Sequence, residues 1–441
     1  MTAPHAVSGL PGGPDLSPAQ TTFEWLARPF AFLDQCAARY GDTFTLHFGR
    51  FGTHVLVADP ADVRQVFHGD RNVLFAGRGN ALLEPILGPN SLLVMDGDRH
   101  LEHRSMLQGA FRSDRFDGYG RVIAAATLRW TADWQDGSVV RVQRIALEIS
   151  KEVILRIVLG LDDHDLERFS RLVHELMMLV GTNATFEEGS DPRLTRRFRD
   201  LRSRLDAALQ EWIDTRRERP EGSDFLATLL AARDDSGAPL TDEELRDQLV
   251  TMILAGHETT ASSITWALLC LHEQDTGSPR AGLEAELTAH AEAPDERLSR
   301  LPYLQAVCLE TLRLRPVVPV VSRQLQAPFE LGTRVLPAGV FVTPCAYLAH
   351  RRSQSFADPQ AFRPERFLEQ RVSPYAYFPF GGGVHRCLGL SFALLEMQIV
   401  VGMLMRRFRF EAIEPVRPVR RAVTIVASGG GKLRVHRRVA A

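Results

Sequence analysis

The chain has 441 residues, 52 of them basic and 54 acidic, for a formal charge of −2. At 45% hydrophobic and 24% charged its composition is ordinary for a globular protein, which excludes a disordered, collagenous or membrane-dominated chain, and a charge so near zero excludes bulk nucleic-acid binding. Five widely spaced cysteines (Cys36, Cys270, Cys308, Cys345, Cys387) are too few and too odd in number to staple so long a chain, so a reducing interior is expected.

Residues 1–20 are rich in Pro, Gly and Ala and have neither a charged start nor an apolar run, so they read as a flexible N-terminal segment and not as a signal peptide. Pro29–Tyr40 can be helical and stops at Gly41. Thr43–Phe48 then alternates strictly, and Val55 and Val57 repeat the period beyond Gly52, which predicts a hairpin. Asp59-Pro60 supplies an N-cap and a first-turn proline for a helix to about Phe67. From Asp98 to Leu314 the pattern is helical, with polar turns at Thr215–Gly222, Arg233–Pro239 and Asp275–Pro279. Strand-like material returns at Phe329–Leu336 and Val340–Thr343. An irregular stretch, Ser353–Phe380, precedes a long helix from Leu388 to about Arg407 and a β-like tail, Val423–Val435. Leu249–Leu271 and Leu388–Met405 are apolar but carry His257, Glu258 and Glu396, so they read as buried helices; no membrane anchor and a cytoplasmic location are expected. With no repeat and no linker, residues 21–441 are expected to form one domain, mainly α with small β-sheets.

Two stretches carry chemistry. Thr241 and Glu244 form a capping box that opens a helix of about 30 residues. Midway along it, Ala255-Gly256-His257-Glu258-Thr259-Thr260 interrupts an apolar run. An acid beside two hydroxyls there is costly unless solvated or used. Either Glu258 faces an arginine and the threonines bond back to carbonyls one turn earlier, or acid and hydroxyl relay protons. The second stretch is Phe380-Gly381-Gly382-Gly383-Val384-His385-Arg386-Cys387-Leu388-Gly389. A thiol after a glycine loop, beside Arg386 and His385 and at a helix start, should have a lowered pKa. A lone thiolate suits a covalent nucleophile or an axial haem ligand better than zinc, which wants three or four protein ligands.

At these residues the chain resembles the cytochrome P450 family of haem-thiolate monooxygenases. The family's cysteine loop is met by Phe380, Gly383, His385, Cys387 and Gly389, and its oxygen-activating helix by Ala255, Gly256, Glu258 and Thr259. Its Glu-x-x-Arg element is met by Glu310 and Arg313, and its Pro-Glu-Arg-Phe segment by Pro364, Glu365, Arg366 and Phe367. His100 and Arg104 meet an early His-x-x-x-Arg element, and Arg323 a later arginine. Each motif is weak alone; their shared order along nearly the whole chain is what carries weight.

The resemblance implies the P450 fold, a triangular helical prism with a long central helix over haem b (iron protoporphyrin IX) and β pieces near both ends. It implies Cys387 as the iron ligand, and His100, Arg104, Arg323 and His385 as contacts to the haem carboxylates. His385 stands where the family often has arginine. Glu310, Arg313 and Arg366 would form a structural cluster, and Glu258 with Thr259 an acid–alcohol pair that delivers protons, Gly256 leaving space for dioxygen. The implied reaction inserts one oxygen atom from O2 into a hydrophobic small molecule such as a fatty acid or terpenoid. The implied pocket includes Leu82, Leu93, Met252, Ala255, Val317, Val318, Val321 and Ala427, on loops and helices that also span Leu176–Phe186. Electrons would come from a separate ferredoxin- or flavodoxin-type protein, with Arg99, Arg112, Arg363 and Arg386 as candidate contacts, and the enzyme would be a monomer. The rival readings are a peroxide-driven haem-thiolate enzyme, a non-catalytic haem sensor, and a cysteine hydrolase.

Overall fold

The structure is a computed structural model that describes residues 7–69, 71–111, 115–182, 191–219, 224–273 and 278–438. At the N-terminus β1 (Val7–Ser8), α1 (Pro18–Ala27) and α2 (Pro29–Tyr40) lead into the hairpin β2 (Thr43–Phe48) and β3 (Gly52–Val57), followed by α3 (Pro60–His68). Both helices begin on a proline, whose missing N–H costs nothing in a first turn. The described part of the 1–20 segment contacts the rest of the chain. β1 pairs in parallel with Arg334–Val335, and the Thr45 hydroxyl donates to the Pro11 carbonyl at 2.7 Å.

Helices dominate the middle. β4 (Leu74–Phe75), α4 (Ala76–Gly79), α5 (Glu84–Leu87), α6 (Gly97–Gln108) and α7 (Phe116–Thr131) precede β5 (Val139–Arg141) and α8 (Val142–Leu159). Then come α9 (Asp163–Thr182), α10 (Pro192–Glu218), α11 (Phe225–Ala231), α12 (Asp242–Glu273), α13 (Ser278–Ala289) and α14 (Pro302–Leu314). Of the turn expected at Thr215–Gly222, residues to Glu218 continue α10, and 220–222 lie outside the described residues. Part of the turn expected at Asp275–Pro279 lies outside the described residues.

The remaining elements are β6 (Arg323–Leu325), β7 (Phe329–Leu331), β8 (Arg334–Leu336), β9 (Phe341–Pro344), α15 (Ala346–Ala349), α16 (Arg366–Glu369) and α17 (Leu390–Arg407). The chain ends in β10 (Phe408–Ala412), β11 (Pro418–Arg421), β12 (Thr424–Ala427) and β13 (Lys432–Arg437). The largest sheet runs β2-β3-β9-β6-β4, so N-terminal and post-α14 strands interleave. Smaller sheets run β1-β8-β7, β10-β13-β5 and β11-β12.

Two apolar cores result. One packs α7, α8 and α17 around α12, with Trp266, Ile253 and Ile264 of α12 fully buried. The other fills the large sheet with Phe44, Leu46, Val55 and Val342. α12 runs 32 residues and opens with the expected capping box, since the Glu244 amide donates to the Thr241 hydroxyl and the Thr241 amide to the Glu244 carboxylate. Most of it is buried, yet Met252, Ala255, Gly256 and Thr259 keep partial exposure. Their spacing puts them on one face, so water reaches a stripe of the central helix midway along its length.

Candidate functional site

The glycine loop reaches its position by packing against α3. A Cβ on Gly382 would lie 2.2 Å from the Phe67 ring, and one on Gly383 would lie 2.4 Å from the Phe67 carbonyl oxygen. Gly383 also sits at φ +67°, where other residues are strained. The turn closes when the Cys387 amide donates to the Phe380 carbonyl at 2.9 Å. The following helix starts at Leu390, two residues later than the sequence suggests, so Cys387 precedes its first turn. Cys387 is exposed, whereas the other four cysteines are buried free thiols. Although the residue is exposed, the protein atoms packed around its sulfur raise the thiol pKa, where a lowered one was expected, and outweigh the Gly389 amide, Arg104 and Arg386, which pull it down. The expectation counted the cations and the helix start and left out desolvation.

Around this loop stand His100 and Arg104 of α6, Arg323 of β6, and His385. The His100 and His385 rings stack with centroids 3.7 Å apart. Arg323 is buried, donates to the carbonyls of Ser322 (3.0 Å) and Gly382 (3.3 Å), and has its pKa pulled down to about 10 by desolvation, with Asp96 opposing. Burial, then neighbouring positive charge, holds His100 at about 4 and His385 at about 2, so both imidazoles are neutral donors. Sequence reasoning missed Asp96. Its carboxylate accepts from the amides of Gly77 (2.8 Å) and Arg78 (3.0 Å) and lies 3.7 Å from His385 Nε2. Those amides are far back in the chain, so no local signal pointed to them.

Two guanidiniums and two imidazoles thus converge with Asp96 as the close acid, and His100 Nδ1 is buried with no hydrogen-bond partner among the described residues. Such a cluster has more donors than the one acid can take up. A group bearing two carboxylates beside the Cys387 sulfur would accept from them, and haem b is such a group, so the residues fit it.

On α12 the pair expected to relay protons divides. The Thr259 hydroxyl donates to the Ala255 carbonyl at 2.7 Å, one turn back, on the accessible stripe. The Glu258 carboxylate turns to the C-terminal hairpin, accepting from the Thr424 hydroxyl at 3.4 Å and lying 3.5 Å from Arg421 Nε. Burial raises its pKa, while Arg421 and Thr424 pull the other way. Glu258 and Arg421 lie far apart in sequence, so that partner was invisible there. At Gly256 an added Cβ would lie 2.9 Å from Ile154 Cδ1, so the missing side chain lets α8 approach closely there.

Glu310, Arg313 and Arg366 come together in one buried group. Glu310 accepts from Arg313 Nε (2.7 Å) and Nη2 (2.8 Å), from Arg366 Nε (3.1 Å) and from the Arg363 amide (2.8 Å), all three side chains being fully buried. Arg313 also donates to the carbonyls of His350, Pro359 and Ala361, tying α14 to the irregular stretch.

The expected pocket residues separate. Met252 and Ala255 lie on the accessible stripe, and Leu93 is partly buried. Val317 and Ala427 are buried, joined where the Ile425 amide donates to the Val317 carbonyl at 2.8 Å, and Val318 and Val321 are partly buried. Leu82 is 40% exposed on the turn before α5. Leu176 is core, and Phe186 lies outside the described residues. Of the candidate docking arginines, Arg99 engages Asn90 and Glu244, Arg363 pairs with Glu369 at 2.7 Å, Arg386 is exposed, and Arg112 lies outside the described residues.

The family model for cytochrome P450 matches residues 11–428. Cytochrome P450 135B1 of Mycobacterium tuberculosis is 37% identical over 438 residues, covering 97% of this chain and 92% of the relative. Cytochrome P450 135A1 of the same species is 32% identical over 441 residues, covering 97% and 95%. Among solved structures, the retinoic acid-bound cyanobacterial CYP120A1 superposes with a TM-score of 0.86 at 24% identity, over 99% of this chain and all of that one.

Proposed function

Because the chain belongs to the cytochrome P450 family, we propose that Cys387 is its iron ligand and that His100, Arg104, Arg323 and His385 hold the haem carboxylates. Membership makes the protein a bacterial haem-thiolate monooxygenase with haem b as cofactor, using O2, an organic substrate and a redox partner. When bound, the haem supplies the iron that activates dioxygen. The observation that carries the residue assignment is the surplus of buried cationic and donor groups beside an exposed thiol on a closed glycine turn.

The chain's own residues divide the remaining work. The Gly389 amide bonds the Cys387 sulfur and withdraws charge from it, tuning the centre. Thr259 presents its hydroxyl on the accessible stripe, where its oxygen accepts from water and passes a proton inward. Glu258 is the acid behind it, its pKa raised by burial against the pull of Arg421 and Thr424, which hold the carboxyl in place. Glu310, Arg313 and Arg366 pin the stretch that leads to the cysteine turn.

The substrate in this reading is a hydrophobic small molecule, a fatty acid or terpenoid, which the apolar side chains of Met252, Val317 and Ala427 support. The electron donor is a separate ferredoxin- or flavodoxin-type protein docking near exposed Arg386. The protein is a cytoplasmic monomer; five free thiols accord with a reducing compartment, and one chain supplies every proposed contact. The test is turnover of fatty acids and terpenes by the holoenzyme with a ferredoxin system against turnover with hydrogen peroxide. Hydroxylated product with the former is expected. Product with peroxide alone would replace this reading with a peroxide-driven one.

A further inference from the structure

The segment that leads from α5 to α6 is fastened to α12 by a run of polar bonds just before the accessible stripe. Asp247 Oδ2 accepts from the Asn90 amide and from Asn90 Nδ2, both at 3.0 Å. Gln248 accepts from the Leu92 amide at 3.2 Å and donates to the Asn90 carbonyl at 2.6 Å. The Thr251 hydroxyl donates to Ser91 Oγ at 2.7 Å. From the other side, Arg202 of α10 bonds Asp247 Oδ1 at 2.9 Å and the Ile86 carbonyl. Asp247 is buried at the centre of these contacts. Gly88 passes so close that a Cβ there would lie 2.0 Å from Asp247 Oδ1, at φ +90°.

The next residue of α12, Met252, opens the accessible stripe, so the fastened segment borders the face of α12 that the haem reading gives to substrate. At the clasp itself lies an open groove of about 660 Å³, lined by Glu84, Gly88 and Asn90 of the segment and by Arg202, Glu243 and Asp247 of the two helices. The segment is thus a wall held to α12 and α10 at a few polar points beside open space.

We propose that Asp247 is a positioning residue for substrate: it clasps residues 86–92 to α12 and α10 and thereby sets how bulky a ligand the cavity admits. The proposal rests on the haem reading above. Cutting the clasp removes two bonds from the wall and leaves Arg202 without its carboxylate partner on α12, while Cys387 and the residues around it are untouched.

The test uses ferric holoenzyme and two nitrogenous iron ligands of different bulk, imidazole and 4-phenylimidazole, with association followed by stopped-flow absorbance. In Asp247→Ala the bulky ligand should associate faster by about fivefold or more, the order expected for losing one strong polar contact, and imidazole by less than about twofold. Gly88→Ala pushes the wall off Asp247 from the opposite side and should give the same selective gain. Asp247→Asn, which keeps an acceptor for Asn90, should fall between. If neither the Asp247 nor the Gly88 variant changes the ratio of the two rates, or both ligands change by one common factor, the clasp does not gate size and the proposal fails. The reduced carbon monoxide spectrum of each sample separates this from failure of the haem reading, since a wild type lacking that spectrum overturns the reading and the proposal with it.

Discussion

Replacing Glu310 by alanine should destabilise the protein far more than its single lost side chain suggests. The carboxylate receives four hydrogen bonds, from Arg313 Nε and Nη2, Arg366 Nε and the Arg363 amide, in a site closed to water. Removing it leaves two fully buried guanidiniums facing each other with no acid between them. Removing one partner of a buried ion pair costs about 3–5 kcal/mol, a large share of the ~5–15 kcal/mol that holds a folded domain together. At a slope of about 3 kcal/mol per molar, the urea midpoint should fall by roughly 1 M or more. The assay is a urea titration followed by far-ultraviolet circular dichroism, with haem retention read at the Soret band. Glu211→Gln, which breaks the exposed Arg168–Glu211 pair, is the control and should leave the midpoint unmoved. A Glu310→Ala protein that keeps its haem and unfolds within about 1 kcal/mol of wild type would refute the argument that this buried charge holds the cysteine-side stretch in place.

Three further outcomes follow from the same geometry. Thr259→Ala should retain the reduced carbon monoxide spectrum but divert electrons into hydrogen peroxide; undiminished coupling of electron consumption to product would show that its hydroxyl carries no proton. Glu396 is fully buried on α17, and burial raises its pKa to about 8 against the pull of the nearby Ser150 hydroxyl. Between about 4.3, where the unfolded chain ionises, and that value, the folded carboxyl stays protonated, so stability should fall as pH rises, by at most about 1.4 kcal/mol per unit. Glu396→Gln should flatten that slope, and equal slopes in the two proteins would contradict it. Gly382→Ala drives a methyl into the Phe67 ring and should release haem faster on transfer to apomyoglobin; an unchanged release rate would mean the loop shifts without affecting the site.

Much of this architecture was legible from one sequence because its signals are local. Thr241 with Glu244, Asp59 with Pro60, and the alternation of Thr43–Phe48 each act within a few residues, and each produced the element it predicts. Glu310 and Arg313 sit one turn apart on α14, so their pairing was readable, whereas Arg366 was found only through its motif. What escaped is non-local. Asp96 reaches back to the amides of α4, Asp247 reaches to Asn90, and Glu258 finds Arg421 on a hairpin near the other end of the chain. Spacing in sequence carries no trace of such contacts. The raised thiol pKa of Cys387 was missed for a related reason: neighbouring charges can be read in sequence, but the number of atoms that crowd a sulfur depends on the whole fold.

The most direct trial of the account is the absorption spectrum of dithionite-reduced protein under carbon monoxide, recorded for wild type and for Cys387→Ser. A strongly red-shifted Soret band in the first and its absence in the second are predicted, because a thiolate ligand is what moves that band. The same band in both proteins, or a wild type that binds haem without it, would contradict the assignment of Cys387 as the iron's ligand.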